Sequence, residues 1–133
     1  MRSAAALALL VLLLCACQGK PLPAGMEEET LLARGRETVV LLTGGDYEAV
    51  RELMREDVAS GVAAEDIRDL VLRQEDGAGV YKEIDSSMVT GQSSGGESYG
   101  VAVFYCKYAK KNILFRLAFD TDYKLIGLEV TRP

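Results

Sequence analysis

Between Glu27 and Gly77 apolar side chains recur at intervals of three and four, and from Val80 onward the interval drops to two. The first regime predicts three amphipathic helices. In "EEETLLARGRETVVLLTGG" acids cluster at the start, Leu31, Leu32, Val39 and Leu42 share a face, and Gly44-Gly45 ends the pattern. Asp46 stands where an N-cap belongs, ahead of "YEAVRELMREDVA" with Tyr47, Val50, Met54 and Val58 at helical spacing. The third segment, "AAEDIRDLVLRQEDG", carries Ile67, Leu70 and Val71 on one side and stops at Gly77 and Gly79. None of the three would hold as an isolated helix, so each must bury its stripe against something else.

The second regime predicts four strands. "VYKEIDSSMV" sets Val80, Ile84 and Met88 on one side, and "ESYGVAVFYCKYA", "NILFRLAFD" and "KLIGLEVT" are rich in β-branched and aromatic residues. "TGQSSGGES" reads as a long flexible loop between the first two strands, and "KKN" and "DTDY" read as tight turns. Helices first and hairpin-linked strands afterwards give an α+β class, three N-terminal helices packed on a four-stranded antiparallel sheet. A two-residue turn at Lys110-Lys111 would pair Tyr108 with Ile113, Cys106 with Phe115 and Phe104 with Leu117. A loop over Thr121 to Lys124 would pair Phe119 with Ile126, Leu117 with Leu128 and Phe115 with Val130. Both place one apolar set inside and leave Tyr105, Arg116 and Glu129 in a row on the opposite face, the one polar group suited to recognising a partner.

Ahead of these elements stands "MRSAAALALLVLLLCACQGK", one cation followed by eleven apolar residues from Ala4 to Leu14. That is the layout of a signal peptide, and it is shorter than the roughly 20 residues a spanning helix needs. Cys15 and Cys17 are too close for an ordinary disulfide and lack the second pair a metal site requires. "LCAC" resembles a bacterial lipobox, with Leu14 at minus three, small Ala16 at minus one and Cys17 as the residue that receives a diacylglyceryl group. Lipidation at Cys15 would put bulky Leu14 at minus one. Residues 1–16 are therefore read as signal, residues 17–26 as the lipidated cysteine and a Pro- and Gly-containing tether, and residues 27–133 as one domain. Fully extended, "QGKPLPAGM" would reach about 30 Å, which keeps the domain near the bilayer. Gln18 rather than Asp follows Cys17, so inner-membrane retention is not signalled.

Removing the signal takes away Arg2 and leaves 117 residues with a net charge of −6 against −5 for the whole chain. The acidic balance and the absence of any basic run longer than Lys110-Lys111 argue against a nucleic-acid partner. The chain has no histidine, which removes Ser-His and Cys-His nucleophile pairs and histidine metal ligands together. No catalytic residues, metal ligands or cofactor are assigned. "DTDYK", with Asp120 and Asp122, lacks the glycine and glutamate of a calcium loop and reads as a turn. Cys106, in the most apolar strand, reads as a buried small hydrophobe.

The segment from about Glu37 to Val130 resembles a family of small bacterial secreted and lipid-anchored modules classified only as a domain of unknown function. "LLTGGDYEAVRELM", "GVYKEI" and "FRLAFDTDYKLIGLEV" carry the likeness. Members usually have Gly where this chain has Tyr123. The family is placed in the cone-shaped superfamily named after nuclear transport factor two, and the resemblance implies that fold. Enzymes of that superfamily use an acid-base group in a concave pocket, which would have to be drawn here from Tyr81, Tyr99, Tyr105 and Tyr108 with Asp85 or Asp120. Three readings follow. The first is a non-enzymatic, membrane-tethered extracytoplasmic module that binds a protein, a cell-envelope component or a small apolar ligand. The second is a small lyase- or isomerase-like enzyme with a Tyr/Asp pocket. The third is a structural homodimer paired through its sheet.

Overall fold

In the computed structural model, residues 20–133 are described; the signal peptide, Cys17 and the start of the tether lie outside them. Four helical segments precede the sheet: α1 (Glu28–Thr43), α2 (Tyr47–Leu53), α3 (Glu56–Ala59) and α4 (Ala64–Glu75). β1 (Tyr81–Ser94), β2 (Glu97–Tyr108), β3 (Asn112–Phe119) and β4 (Leu125–Thr131) form an antiparallel meander in that order. The α+β layout follows the periodicity, helices before strands.

α1 buries Leu31, Gly35, Thr38, Val39 and Leu42, a stripe of three- and four-residue steps. Gly35 is the closest point of approach. A Cβ there would overlap the Phe104 ring of β2 and crowd Ala102, so the missing side chain is what lets the helix lie down on the strand. Thr38, wholly buried beside it, satisfies its hydroxyl by donating to the Arg34 carbonyl at 2.8 Å. The helix expected over residues 46–59 starts as predicted, with Asp46 accepting from the Ala49 N–H at 3.2 Å. It then breaks. Met54 adopts an extended backbone, forms a parallel bridge to Leu125, and Arg55 N–H donates to the Leu125 carbonyl at 2.9 Å. Burying Met54 and covering the edge of β4 outweigh continued helix, leaving α3 as a single turn.

The expected loop "TGQSSGGES" is strand almost throughout. β1 and β2 run on to the pair Ser94 and Glu97, joined only by Gly95 and Gly96, whose φ values of 57° and 82° are those of a type I′ turn. Its polarity reflects a half-solvated position, not loss of pairing. Two irregularities in β1, near Lys82 and Asp85, change which residues face in. Ile84 packs on the core, whereas Met88 and Val80, expected beside it, are exposed.

In the β2–β3 hairpin the turn residues are Ala109 and Lys110, one step earlier than expected, closed by Tyr108 N–H to the Lys111 carbonyl at 3.0 Å. The displacement comes from the chain before β1. Ala109 N–H donates to the Val80 carbonyl and Lys110 N–H to that of Ala78, both at 2.8 Å, with Gly79 at positive φ between them. Phe104 therefore faces Phe115, Cys106 faces Ile113 and Ala102 faces Leu117, two residues from the expected pairing. An even shift preserves the faces, so the inward set is as predicted although its partners are not. In the β3–β4 hairpin Phe115 faces Val130 and Leu117 faces Leu128 as expected, while a bulge pairs Phe119 with Leu125 rather than Ile126.

Lys20 to Met26 do not hang free as a tether would. Gly91 N–H on the edge of β1 donates to the Lys20 carbonyl at 3.0 Å, and Lys20 N–H donates to Thr90 Oγ1 at 3.2 Å. Leu22 packs on the core, Met26 is buried, and Glu27 N–H donates to the Tyr123 hydroxyl at 2.7 Å. Gly91 is required at this crossing because a Cβ would meet the Pro21 carbonyl oxygen. Tyr123 itself sits at φ 61°, the left-handed region that glycine enters freely and a tyrosine rarely does. Its packing and the bond from Glu27 offset that strain.

Gly35→Ala separates packing from propensity. Helix propensity alone would raise stability by up to ~1 kcal/mol, but overlap with Phe104 should cost about 1–3 kcal/mol. Urea denaturation should show a net loss of stability.

Candidate functional site

Among the described residues the space between helices and sheet is occupied by apolar side chains. Phe104, Phe115 and Phe119, with Leu31, Leu42, Ile113 and Leu117, are fully buried between the helices and the sheet. Among the clefts at the surface, one of 140 Å³ lies between α1, the end of α2 and the Asp122–Lys124 turn. Another, of 260 Å³, lies beside Lys20, Pro21 and the β1–β2 hairpin.

Two polar groups stand out, one buried and one at the surface. Tyr108 is 6% exposed and donates to Glu75 Oε2 at 2.6 Å, while Tyr81 meets its ring edge-on at 5.5 Å. Burial first, then the Glu75 carboxylate, holds the Tyr108 phenol far above its usual value. Burial likewise raises Tyr81 and Tyr47, and pushes the fully buried Cys106 thiol up to about 12. A sealed thiol of that kind packs as an apolar residue and is a poor nucleophile. The second group centres on Arg55, where the helix breaks. Its guanidinium donates to Asp57 Oδ1 at 2.7 Å, to Glu97 at the β1–β2 hairpin, and to Asp120 Oδ2 at 3.4 Å. Asp120 also accepts from the Asp122 and Lys124 N–H groups, each at 2.9 Å. The hydrogen bonds from Arg55 hold the Asp57 carboxyl below its ordinary range. This acidic group is thus organised around a cation of the chain itself and joins three turns.

The tyrosine and aspartate candidates are not brought together. Asp85 lies 3.5 Å from Lys107 on the surface, and Asp120 belongs to Arg55 and its own turn. Tyr99 pairs across from Gln92, Tyr105 faces outward, and Tyr108 and Tyr81 belong to the Glu75 cluster. Of the expected surface patch, Arg116 and Glu129 do face each other on β3 and β4, with Nη1 and Oε2 3.9 Å apart. Tyr105 is two residues along β2 from the row. Its direct neighbours are Ser86 and Leu114, and Val103 stands opposite Arg116, so Tyr105 reaches the arginine on the diagonal. The row across the sheet reads Met88, Val103, Arg116, Glu129. Met88 is 47% exposed and Tyr105 38%, so this outer face combines apolar side chains with one weak ion pair. Alternation alone had put Met88 inside, because bulges leave no mark in the hydrophobic pattern.

The family model described as "Protein of unknown function (DUF3887)" matches residues 36–128. The chain belongs to this family. The match runs from the middle of α1 into β4 and leaves out the segment from Lys20 to Glu27. An NMR structure of a protein from Ruminococcus gnavus ATCC 29149 is similar at 27% identity and a TM-score of 0.71, covering 82% of this chain and 95% of that one. No curated protein matches. Among the described residues no helix is long and apolar enough to cross a membrane.

Tyr108→Phe removes a hydrogen bond to a carboxylate and should cost about 1–2 kcal/mol. The same variant reports on pH. Because the folded phenol titrates above the unfolded value near ~10, its stabilisation is complete below that pH and is lost as pH rises. The urea midpoint of the parent should fall on passing from pH 9 to 11, and less steeply in the variant.

Proposed function

We propose that this DUF3887 protein is a lipid-anchored, non-enzymatic interaction module at the extracytoplasmic face of a bacterial membrane. It is held there by diacylglyceryl on Cys17 and presents the outer face of its sheet to a protein or cell-envelope partner. The observation that carries the non-enzymatic half is what occupies the interior of the described residues: where a cone-type enzyme would need a concave pocket with a reachable acid-base group, Phe104, Phe115 and Phe119 are buried. The buried Tyr108 hydroxyl and the Glu75 carboxylate form a staple between β2 and α4 at the sheet's end. Helices followed by a four-stranded meander fit the nuclear transport factor two-like superfamily that the sequence resembles.

The anchoring half rests on "LCAC" and on the length of the apolar run before it. Two acyl chains at about 0.8 kcal/mol per buried methylene suffice for stable attachment where one does not. The outer face supports the interaction reading because exposed Met88 and Tyr105 surround an ion pair too exposed to contribute more than about 1 kcal/mol to the fold. Groups that do little for stability are free to serve recognition.

Two measurements test this. Mass spectrometry of the membrane-extracted protein should find Cys17 as the first residue, carrying diacylglyceryl; an unmodified Cys17 or another start site refutes the anchor. A photo-crosslinker at position 105 should give adducts in cells that one at exposed Val40 on the helix side does not. Arg116→Glu should reduce those adducts about tenfold, the equivalent of ~1.4 kcal/mol of binding, while changing stability by no more than about 1 kcal/mol. Adducts that persist at full yield remove the patch, and adducts of twice the chain mass identify the partner as a second copy.

A further inference from the structure

The segment from Lys20 to Glu27 lies outside the family match yet is seated on the domain at both ends. We infer that it is a strap that fixes the domain's orientation on the membrane, holding the β1 edge at Gly91 and the β1–β2 hairpin against the lipid headgroups. This rests on the anchoring at Cys17 proposed above and adds to it a lipid-facing surface.

The length of chain left over is the first support. Ten steps of chain separate Cys17 from the start of the domain at Glu27, but the strap pins Lys20 to Thr90 and Gly91, so only three of them remain between the lipid and the first fixed point. Three residues reach about 11 Å at most. The headgroup layer on one side of a bilayer is about 5–7 Å thick, so Lys20 must lie within it or just outside. A free ten-residue tether would let the domain tumble, whereas a three-residue one permits only the face around Lys20 to point down.

Charge is the second support. The rim drawn in reads Gln92, Ser93, Ser94, Gly95, Gly96, Glu97 and Ser98, and its single charge, Glu97, is paired with Arg55. Lys20 adds a cation at its edge. Asp57 and Asp120 share Arg55 with Glu97, and the Glu27–Tyr123 contact lies at this same end of the sheet, so the serine-glycine tip and Lys20 are the groups of this end that an anionic surface meets without repulsion. The strap's positions are also specific: Leu22 and Met26 insert into the core, Gly25 turns the chain at φ 89°, and Gly91 leaves room for Pro21.

The test uses the full lipidated chain reconstituted into vesicles that contain phosphatidylglycerol and a headgroup-nitroxide lipid. A fluorophore is attached at Ser94→Cys or, at the opposite end of the sheet, at Lys110→Cys; the buried Cys106 stays unlabelled under native conditions. Quenching at position 94 should exceed that at position 110 several-fold. Insertion of roughly 15 Gly and Ser residues between Gly19 and Lys20, with a reach of some 20 Å root-mean-square, should bring the two toward equality while vesicle binding persists. Equal quenching in the parent overturns the orientation, and a difference that survives the insertion overturns the short tether as its cause. A chain that fails to sediment with vesicles overturns the anchor itself.

Discussion

The fold turns on the contact between Gly35 and Phe104. Because α1 has no side chain at that step, it approaches β2 closely enough for the Phe104 ring to occupy the helix surface, and the remaining core closes around this seat. Thr38 and Val39 lie one turn on, and Leu31 one turn back, where a Cβ at Gly100 would meet it. The strap depends on the same approach, since Met26 packs into the space above Gly100. A layered domain of this size must bury one helix stripe against one sheet face, and here a single glycine sets the distance between them.

Close approach also decides what is left at the surface. With the inward residues of β2 and β3 buried, the outer face, the edges and the turns are what solvent reaches. The edges are already engaged: β4 is covered at Leu125 by Met54 and Arg55, and β1 is bulged along its first half and occupied at Gly91 by the strap. On the outer face Met88, Tyr105 and Glu129 are exposed, while Val101 and Val103 between them are buried.

Periodicity made the helix stripes, the strand count and the inward-facing set of β2 and β3 legible, because those follow from burying one face. Partner assignments were less so. The β2–β3 hairpin is displaced by backbone bonds from Val80 and Ala78, residues that carry no turn signal themselves. The break at Met54 arises from a bond to Leu125, 71 positions away, and nothing near Met54 announces it. "TGQSSGGES" misled because a solvated hairpin and a loop share a composition; only Gly95-Gly96 belongs to the turn. Arg116 and Glu129 were legible as neighbours because the β3–β4 register was right, and Tyr105 is displaced by two residues because the β2–β3 register was not. The Glu75–Tyr108 pair joins residues 33 apart with no local pattern to connect them.

The sealed position of Cys106 has a consequence for where such a domain can exist. Among the described residues it is the one thiol, and it is enclosed by the core instead of being paired in a cross-link. Stability therefore comes from packing and strand pairing, with nothing for an oxidant to complete or a reductant to open. The fold of the described residues is thus indifferent to whether its surroundings are oxidising or reducing.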